Sequence, residues 1–282
     1  MDMNVKIATT EFRLKPYNDF KGFEEDVISM LDKATDADII LFGEWFTLGL
    51  LYSLTDKPDH KDVIKIAEYT DDLIGLLNRE ARDRRITIIA GSTVEEENNR
   101  YYDTCFVFHK DKVFKHRKTH LFPLERELWK LDEYDKINAI QLDDLKIGIC
   151  ICYESQIPEC SRALVLQGCN ILFCPSFTIT NAGYNRIRYS CHARCIENQV
   201  IMVLSSSIGN LGFVKGIGKS AILSPCDKPW PDNGIIVECE DDIAIADINV
   251  DDINITREKG AARTHKDRIR KNELYKRWLY GV

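Results

Sequence analysis

Ile147-Gly148-Ile149-Cys150-Ile151-Cys152 is an apolar, β-branched-rich run that ends on a thiol and passes at once into Tyr153-Glu154-Ser155-Gln156-Ile157-Pro158-Glu159. Such a run favours a buried strand, and a proline heading the apolar-periodic stretch beyond it favours a helix start. Together the two signals predict a strand that turns sharply into a helix, the unit from which α/β folds are built. Cys152 sits on that corner. A cysteine there is well placed as an exposed nucleophile, with the backbone N–H groups just beyond it facing whatever the sulfur attacks. The pattern alone also fits a packing cysteine, because free cysteine is among the most buried residue types.

A thiol near its free pKa of about 8.5 is mostly protonated at neutral pH, so a nucleophilic cysteine needs a base or a cationic neighbour. Two segments offer them. Ile39-Ile40-Leu41-Phe42-Gly43-Glu44-Trp45-Phe46-Thr47-Leu48-Gly49 is an apolar strand whose end presents a carboxylate among aromatic residues. Val113-Phe114-Lys115-His116-Arg117-Lys118-Thr119-His120-Leu121-Phe122-Pro123 is a short strand running through a cationic stretch into an apolar, proline-stopped loop. Glu, Lys and Cys, each at the C-terminal end of a strand, are then able to converge at one edge of a sheet. Taken singly, Glu44 also reads as an exposed loop residue and Lys118 as one member of a solvated charge run.

With these segments in this order, the chain resembles the nitrilase, or carbon-nitrogen hydrolase, superfamily with its Glu-Lys-Cys triad. Further matches are Gly168-Cys169-Asn170-Ile171-Leu172 leading to Pro175-Ser176, then Ala193-Arg194-Cys195-Ile196-Glu197-Asn198, then Gly218-Lys219-Ser220 to Pro225. The resemblance runs from Val5 to about Arg257. It implies a four-layer αββα sandwich with mixed sheets, and hydrolysis of a non-peptide C–N bond through a Cys152 thioester, an EC 3.5-class reaction that needs no cofactor or metal. In that frame Glu44 is the general base, Lys118 the charge beside the oxyanion, and the Tyr153 N–H a second oxyanion donor. Trp45 and Phe177 lie beside the substrate. The family often adds a second glutamate after the lysine; Glu125 and Glu127 both qualify, and Glu125 is preferred. One departure is Gly43, where the family usually has proline before the Glu, which predicts a looser turn. Cys152-Tyr153-Glu154 in place of the Cys-Trp-Glu usual in true nitrilases leans toward an amide or N-carbamoyl substrate. Nitrile hydrolysis on the same triad, a Cys-His hydrolase using His120 or His192, and a nitrilase-fold binding protein without turnover are the alternatives.

Composition narrows the setting. The 282 residues carry a net charge of −7 with 44% hydrophobic and 29% charged residues, which is ordinary for a globular protein and unlike a general nucleic-acid surface. No apolar run reaches the roughly 18 residues of a membrane span. The start passes directly into a strand pattern without a basic or apolar leader, so no signal peptide is expected. Ten cysteines then read as free thiols in a reducing, cytoplasmic compartment. None shows the paired Cys-x-x-Cys spacing of a structural zinc site.

Along the chain, period and punctuation predict strands at 5–9, 38–42, 86–90, 104–109, 112–116, 147–152, 170–174 and 200–205, with β-rich stretches at 216–223, 235–237 and 243–248. Helices are predicted at 20–34, 62–82, 158–167 and 184–198. Residues 118–138 are too charged and irregular for a core element, and a loop of that length is usually functional. Arg194 is expected to pair with Glu159 or Glu154, and Glu197 and Asn198 to tie their helix to neighbouring loops. The domain is placed at 1–259. The remaining 260–282 form a basic tail with seven Lys/Arg, ending in Trp278, Leu279 and Tyr280. Those aromatics, and the family's habit of pairing subunits through helices equivalent to 158–167 and 184–198, predict at least a homodimer whose interface includes the tail.

Overall fold

In the computed structural model, two β-sheets face each other across an apolar core and helices cover their outer faces. Residues 3–281 are described; Met1, Asp2 and Val282, and the Tyr280 side chain at the tip of the tail, lie outside the described residues. The first sheet has seven strands. Its path runs Ile243–Asn249, Asn4–Thr10, Ile39–Leu41, Thr87–Ile89, Arg100–His109 and Thr93–Glu97, and Lys112–Arg117 also pairs with Arg100–His109. The second has six, in the order Ile235–Glu238, Ala221–Leu223, Ile201–Ser206, Ile171–Ser176, Leu145–Ile149 and Ile140–Leu142. Both are mixed: three neighbouring strands in each are parallel and the outer ones antiparallel.

Alternation along the strands builds the layers. Ile39 and Leu41 join Ile7, Ile89 and Val107 against Ile147, Phe173, Val203 and Ile222 of the other sheet. Ile40, Ile88, Phe106 and Phe108 point the opposite way, onto Phe23, Val27, Leu73 and Leu77 of the outer helices. That is the period-two signature of a sheet buried on both faces. Where strand ends meet between sheets the contact turns polar: Thr9 Oγ1 donates to the Leu204 carbonyl and Ser205 Oγ to that of Thr10, both at 2.7 Å.

The elements follow the sequence expectations with specific differences. Helix Phe20–Lys33 buries Phe23, Val27, Met30 and Leu31, and Asp19 caps it by accepting from the Gly22 amide. The helix expected over 62–82 is instead a 3-10 stretch, His60–Tyr69, followed by an α-helix, Thr70–Arg84. Strand Thr93–Glu97 had no clear signal, because three of its five residues are Glu and two of those, Glu96 and Glu97, are exposed. The irregular 118–138 segment contains one short helix, Pro123–Glu127. The tail is not an extended strand of chain: it folds as helices Thr264–Arg270 and Asn272–Tyr280, the first lying against helix Asn181–Asn198, where Thr264 Oγ1 donates to the Ile196 carbonyl at 2.8 Å. Arg194 pairs with Glu197 at 2.8 Å rather than with Glu159 or Glu154. No described helix is long and apolar enough to cross a membrane.

For function, what matters is direction. Ile39–Leu41 and Thr87–Ile89 run parallel, Arg100–His109 runs back, and Lys112–Arg117 returns alongside it. The C-terminal ends of Ile39–Leu41 and Lys112–Arg117 therefore open at the same edge of the first sheet, where Glu44 and Lys118 follow.

Candidate active site

Glu44 leaves the sheet three residues beyond Leu41, at a point where three chain segments crowd together. A Cβ at Gly43 would fall 2.4 Å from the Ser207 amide nitrogen, and one at Gly91 (φ +53°) would fall 2.0 Å from the Gly43 carbonyl oxygen. The glycine before Glu44 therefore does not loosen the turn; it lets the backbone pass against Ser206-Ser207. Trp45 then adopts φ +59°, a left-handed value that is costly for a bulky residue and that aims Glu44 inward. Trp45 is fully buried, donates its indole N–H to Glu125 Oε1 at 3.2 Å, and packs edge-on against Trp129.

Lys118 follows the last residue of strand Lys112–Arg117 and is fully buried. Its ammonium donates to Glu44 Oε1 at 2.6 Å and to the two Glu125 oxygens at 2.7 and 2.8 Å, and lies 3.3 Å from Asp103 Oδ2. Glu125 is held in turn by the Phe122 amide at 2.8 Å, whereas Glu127 is exposed and among the described residues pairs with Arg126 alone, at 3.7 Å. Glu125 is thus the glutamate that joins the cluster. The three carboxylates gather their oxygens as a cation site does, and the cation among them is the Lys118 ammonium. Burial disfavours that charge, but Glu125, Glu44 and Asp103 outweigh it and hold the amine protonated well above its usual range. Burial pushes the Glu44 carboxyl up more than Lys118 pulls it down, and the charges of Glu125 and Asp103 add to the rise. Asp103, likewise raised chiefly by burial, reaches about 7.

Cys152 stands at the turn the sequence predicted, with φ +44° and a 3-10 turn, Cys152–Gln156, between the strand and helix Pro158–Leu166. A left-handed nucleophile between strand and helix is the sharp corner that lifts a reactive atom clear of a sheet. Its sulfur accepts from Ser176 Oγ at 3.5 Å and faces the Phe177 carbonyl at 3.7 Å. Burial, then the nearby charge of Glu44, pushes the thiol well above its ordinary value despite Lys118 and Ser176, so the resting sulfur is S–H. Glu154 ties this corner to the Lys118 loop. One of its oxygens accepts from the Ile151 amide and faces His116 Nε2; the other accepts from the Thr119 amide and hydroxyl.

A cavity of about 210 Å³ opens onto the sulfur. Trp45, Phe122, Trp129, Tyr153, Phe177 and Ile187 form much of its wall, and Glu125 reaches it from the lysine cluster. Cys152 lines this cavity, and the charges of Glu44 and Lys118, which do not line it, act on the thiol from the buried cluster behind Glu125; a thiol, a raised carboxyl and a fixed ammonium so arranged form a set suited to acyl transfer: nucleophile, base and oxyanion charge.

The family model described as carbon-nitrogen hydrolase matches residues 11–258. The chain belongs to the carbon-nitrogen hydrolase family. It is 33% identical over 276 residues to the probable hydrolase YhcX of Bacillus subtilis (strain 168), a match covering 94% of this chain and 54% of YhcX. The chain thus spans about half the length of that relative. It is 28% identical over 223 residues to omega-amidase NIT2-B of Xenopus laevis, covering 74% of this chain and 78% of the other. The fold superposes on the crystal structure of a carbon-nitrogen hydrolase from Helicobacter pylori G27 with a TM-score of 0.81 at 17% identity, covering 98% of both chains.

Within this carbon-nitrogen hydrolase framework, the histidine alternative finds no geometric support. His120 lies on Cys160, 3.5 Å from its sulfur, and His192 accepts from Arg188 Nε at 3.2 Å; neither bonds Cys152. Three residues of the site went unread in the sequence. Asp103 carried one signal, a carboxylate inside the strand Tyr102-Asp103-Thr104-Cys105 at a position with no reason to face water. Ser176 and Glu154 carried none beyond adjacency to motif residues, since what they touch is set by tertiary contact.

Proposed function

We propose that the protein hydrolyses small amides through a thioester on Cys152. Attack of the sulfur on the amide carbon passes the thiol proton to Glu44, while the carbonyl π electrons move onto oxygen as an oxyanion beside the Lys118 ammonium and the Tyr153 N–H. Collapse breaks the C–N bond, and Glu44 returns the proton to the departing nitrogen, releasing ammonia or an amine. Water then attacks the thioester, again giving its proton to Glu44, and the acid leaves as the thiol re-forms. Glu125 holds Lys118 in place. The observation that carries this reading is the Lys118 ammonium clasped by Glu44 and Glu125 beside the Cys152 cavity, in a fully buried cluster.

Amides rather than nitriles are favoured by Cys152-Tyr153-Glu154 and by relatives named as amidases, among them the omega-amidase of Xenopus laevis. N-carbamoyl compounds offer the same carbonyl and remain within the proposal. Ten unpaired thiols suit a reducing compartment. We further read residues 260–282 as an element of a homodimer interface rather than part of the catalytic domain. Incubation with a panel of primary amides, N-carbamoyl compounds and nitriles, with ammonia as readout, tests the reaction. Release from amides that disappears in Cys152→Ala supports it; release unchanged by that substitution contradicts it.

A further inference from the structure

Glu154 clasps the Cys152 corner to the Lys118 loop, and two more metal-binding side chains reach it there. His120 follows Thr119 on that loop, and Cys160 lies in the first turn of helix Pro158–Leu166. One ligand atom from each of His120, Glu154 and Cys160 lies within 4.8 Å of the other two. His120 Nδ1 is 3.5 Å from Cys160 Sγ, and Thr119 Oγ1 stands between the imidazole, at 2.9 Å, and Glu154 Oε1, at 2.6 Å. The Glu44, Asp103 and Glu125 group gathers three ligand atoms in the same way, but Lys118 fills its centre. At the second cluster no lysine or arginine side chain among the described residues bonds to any of the three.

We infer that Cys160, His120 and Glu154 bind a single zinc ion, with water as the fourth ligand. The spacing of the first two already suits it: bonds of about 2.3 Å to sulfur and about 2.0 Å to nitrogen, at a tetrahedral angle, put the two atoms about 3.5 Å apart. Thiolate and imidazole favour zinc over magnesium or calcium, and one thiolate with one carboxylate neutralises its charge. The ligands come from three separate segments, so no Cys-x-x-Cys spacing announces them. Coordination needs three local changes. The Cys160 proton passes to solvent as the sulfur bonds the metal, His120 keeps its proton on Nε2 so that Nδ1 presents a lone pair, and the Thr119 hydroxyl turns away from Glu154 Oε1. Cys160 and Glu154 are buried but His120 is exposed, so the ion enters on the imidazole side. Glu154 gives the site a consequence. The Thr119 bonds to its Oε1 fix the loop one residue after Lys118, and drawing that oxygen onto zinc loosens them. Zinc is therefore expected to slow turnover without touching Cys152. That consequence rests on the amide-hydrolase reading; the site itself does not.

Calorimetric titration of the reduced protein with zinc chloride tests the site. One ion per chain is expected. Cys160→Ser and His120→Ala should each weaken binding about a hundredfold, while Cys152→Ala, which removes the proposed nucleophile as a competing ligand, leaves it unchanged. Cobalt in place of zinc adds an independent signature, a sulfur-to-cobalt charge-transfer band in the near ultraviolet. It should appear in the wild type and in Cys152→Ala and be absent from Cys160→Ser. Wild-type protein that binds no zinc, or binding that survives Cys160→Ser and is lost in Cys152→Ala, would overturn the inference. With a cleaved amide as substrate, saturating zinc should lower kcat roughly tenfold in the wild type and leave Cys160→Ser at its metal-free rate. Equal inhibition of both would break the link between the zinc site and turnover. Should no amide be cleaved, the hydrolase reading fails by itself, and the calorimetric and cobalt results still decide the zinc site.

Discussion

Glu44 shares the Lys118 ammonium with two other buried carboxylates, and that crowding sets the pH at which it accepts a proton. A base works only when ionised, so with Glu44 as the proposed base activity is predicted to fall as pH drops through its raised value. Asp103 contributes to that rise, and Asp103→Asn is predicted to shift the acid limb of kcat/KM to lower pH; an unmoved limb would separate Asp103 from the proton balance. The same substitution has a signature in stability. With a folded value of about 7 against an ordinary 3.8, Asp103 makes the folded state bind more protons than the unfolded one between those values, so stability falls as pH rises across that window. The melting temperature of Asp103→Asn minus that of the parent should therefore grow from about pH 4 to about pH 7; a difference flat in pH would refute the assignment. Removing the base with Glu44→Gln, or the charge with Lys118→Met, should each cost kcat a factor on the order of 10² or more. Glu44→Gln keeping most activity would contradict the triad.

At the scale of elements, the site depends on how closely three strand ends approach. Gly43→Ala places a methyl where a Cβ meets the Ser207 amide at 2.4 Å, with backbone rather than a flexible side chain in the way. We expect a loss of about 1–3 kcal/mol in denaturant unfolding, with kcat reduced through a displaced Glu44; an unchanged midpoint would show the junction to be yielding. Glu154 is the equivalent tie between the Cys152 corner and the Lys118 loop. These ties also mark where the sequence was legible and where it was not. The strands Ile39–Leu41 and Leu145–Ile149, and the positions of Glu44 and Cys152 at strand ends, were readable because apolar period and strand-end polarity are local signals, whereas Lys118 was picked out of its cationic run only through resemblance. Glu125 over Glu127 was readable only through resemblance, since both sit on one charged five-residue helix and only tertiary contact turns one inward. Asp103, Ser176 and the Glu154 clasp depend on segments far apart in sequence. The tail helices were missed because their apolar residues have no buried face to set a period: Ile269, Trp278 and Leu279 are all exposed.

For the whole molecule, that exposure is the argument for assembly. Tyr189 and Ile196 on helix Asn181–Asn198, Leu166 at the end of its neighbour, and Ile269, Trp278 and Leu279 on the tail leave large apolar side chains in water in one monomer. Closed two-fold pairing is the commonest cover for such a surface. Light scattering at micromolar concentration should give a dimer, and deleting 261–282 should weaken it and lower activity; a fully active monomer would defeat both expectations. The central claim, however, is a covalent one, and it is tested most directly by catching the acyl group on the protein. Rapid acid quench during turnover of a cleaved amide, followed by peptide mass mapping, should find the substrate's acyl mass on the peptide carrying Cys152. Occupancy should be higher in Glu44→Gln if deacylation is slowed more than acylation. Ammonia release with Cys152 unmodified throughout, or an acyl group on another residue, would contradict the account.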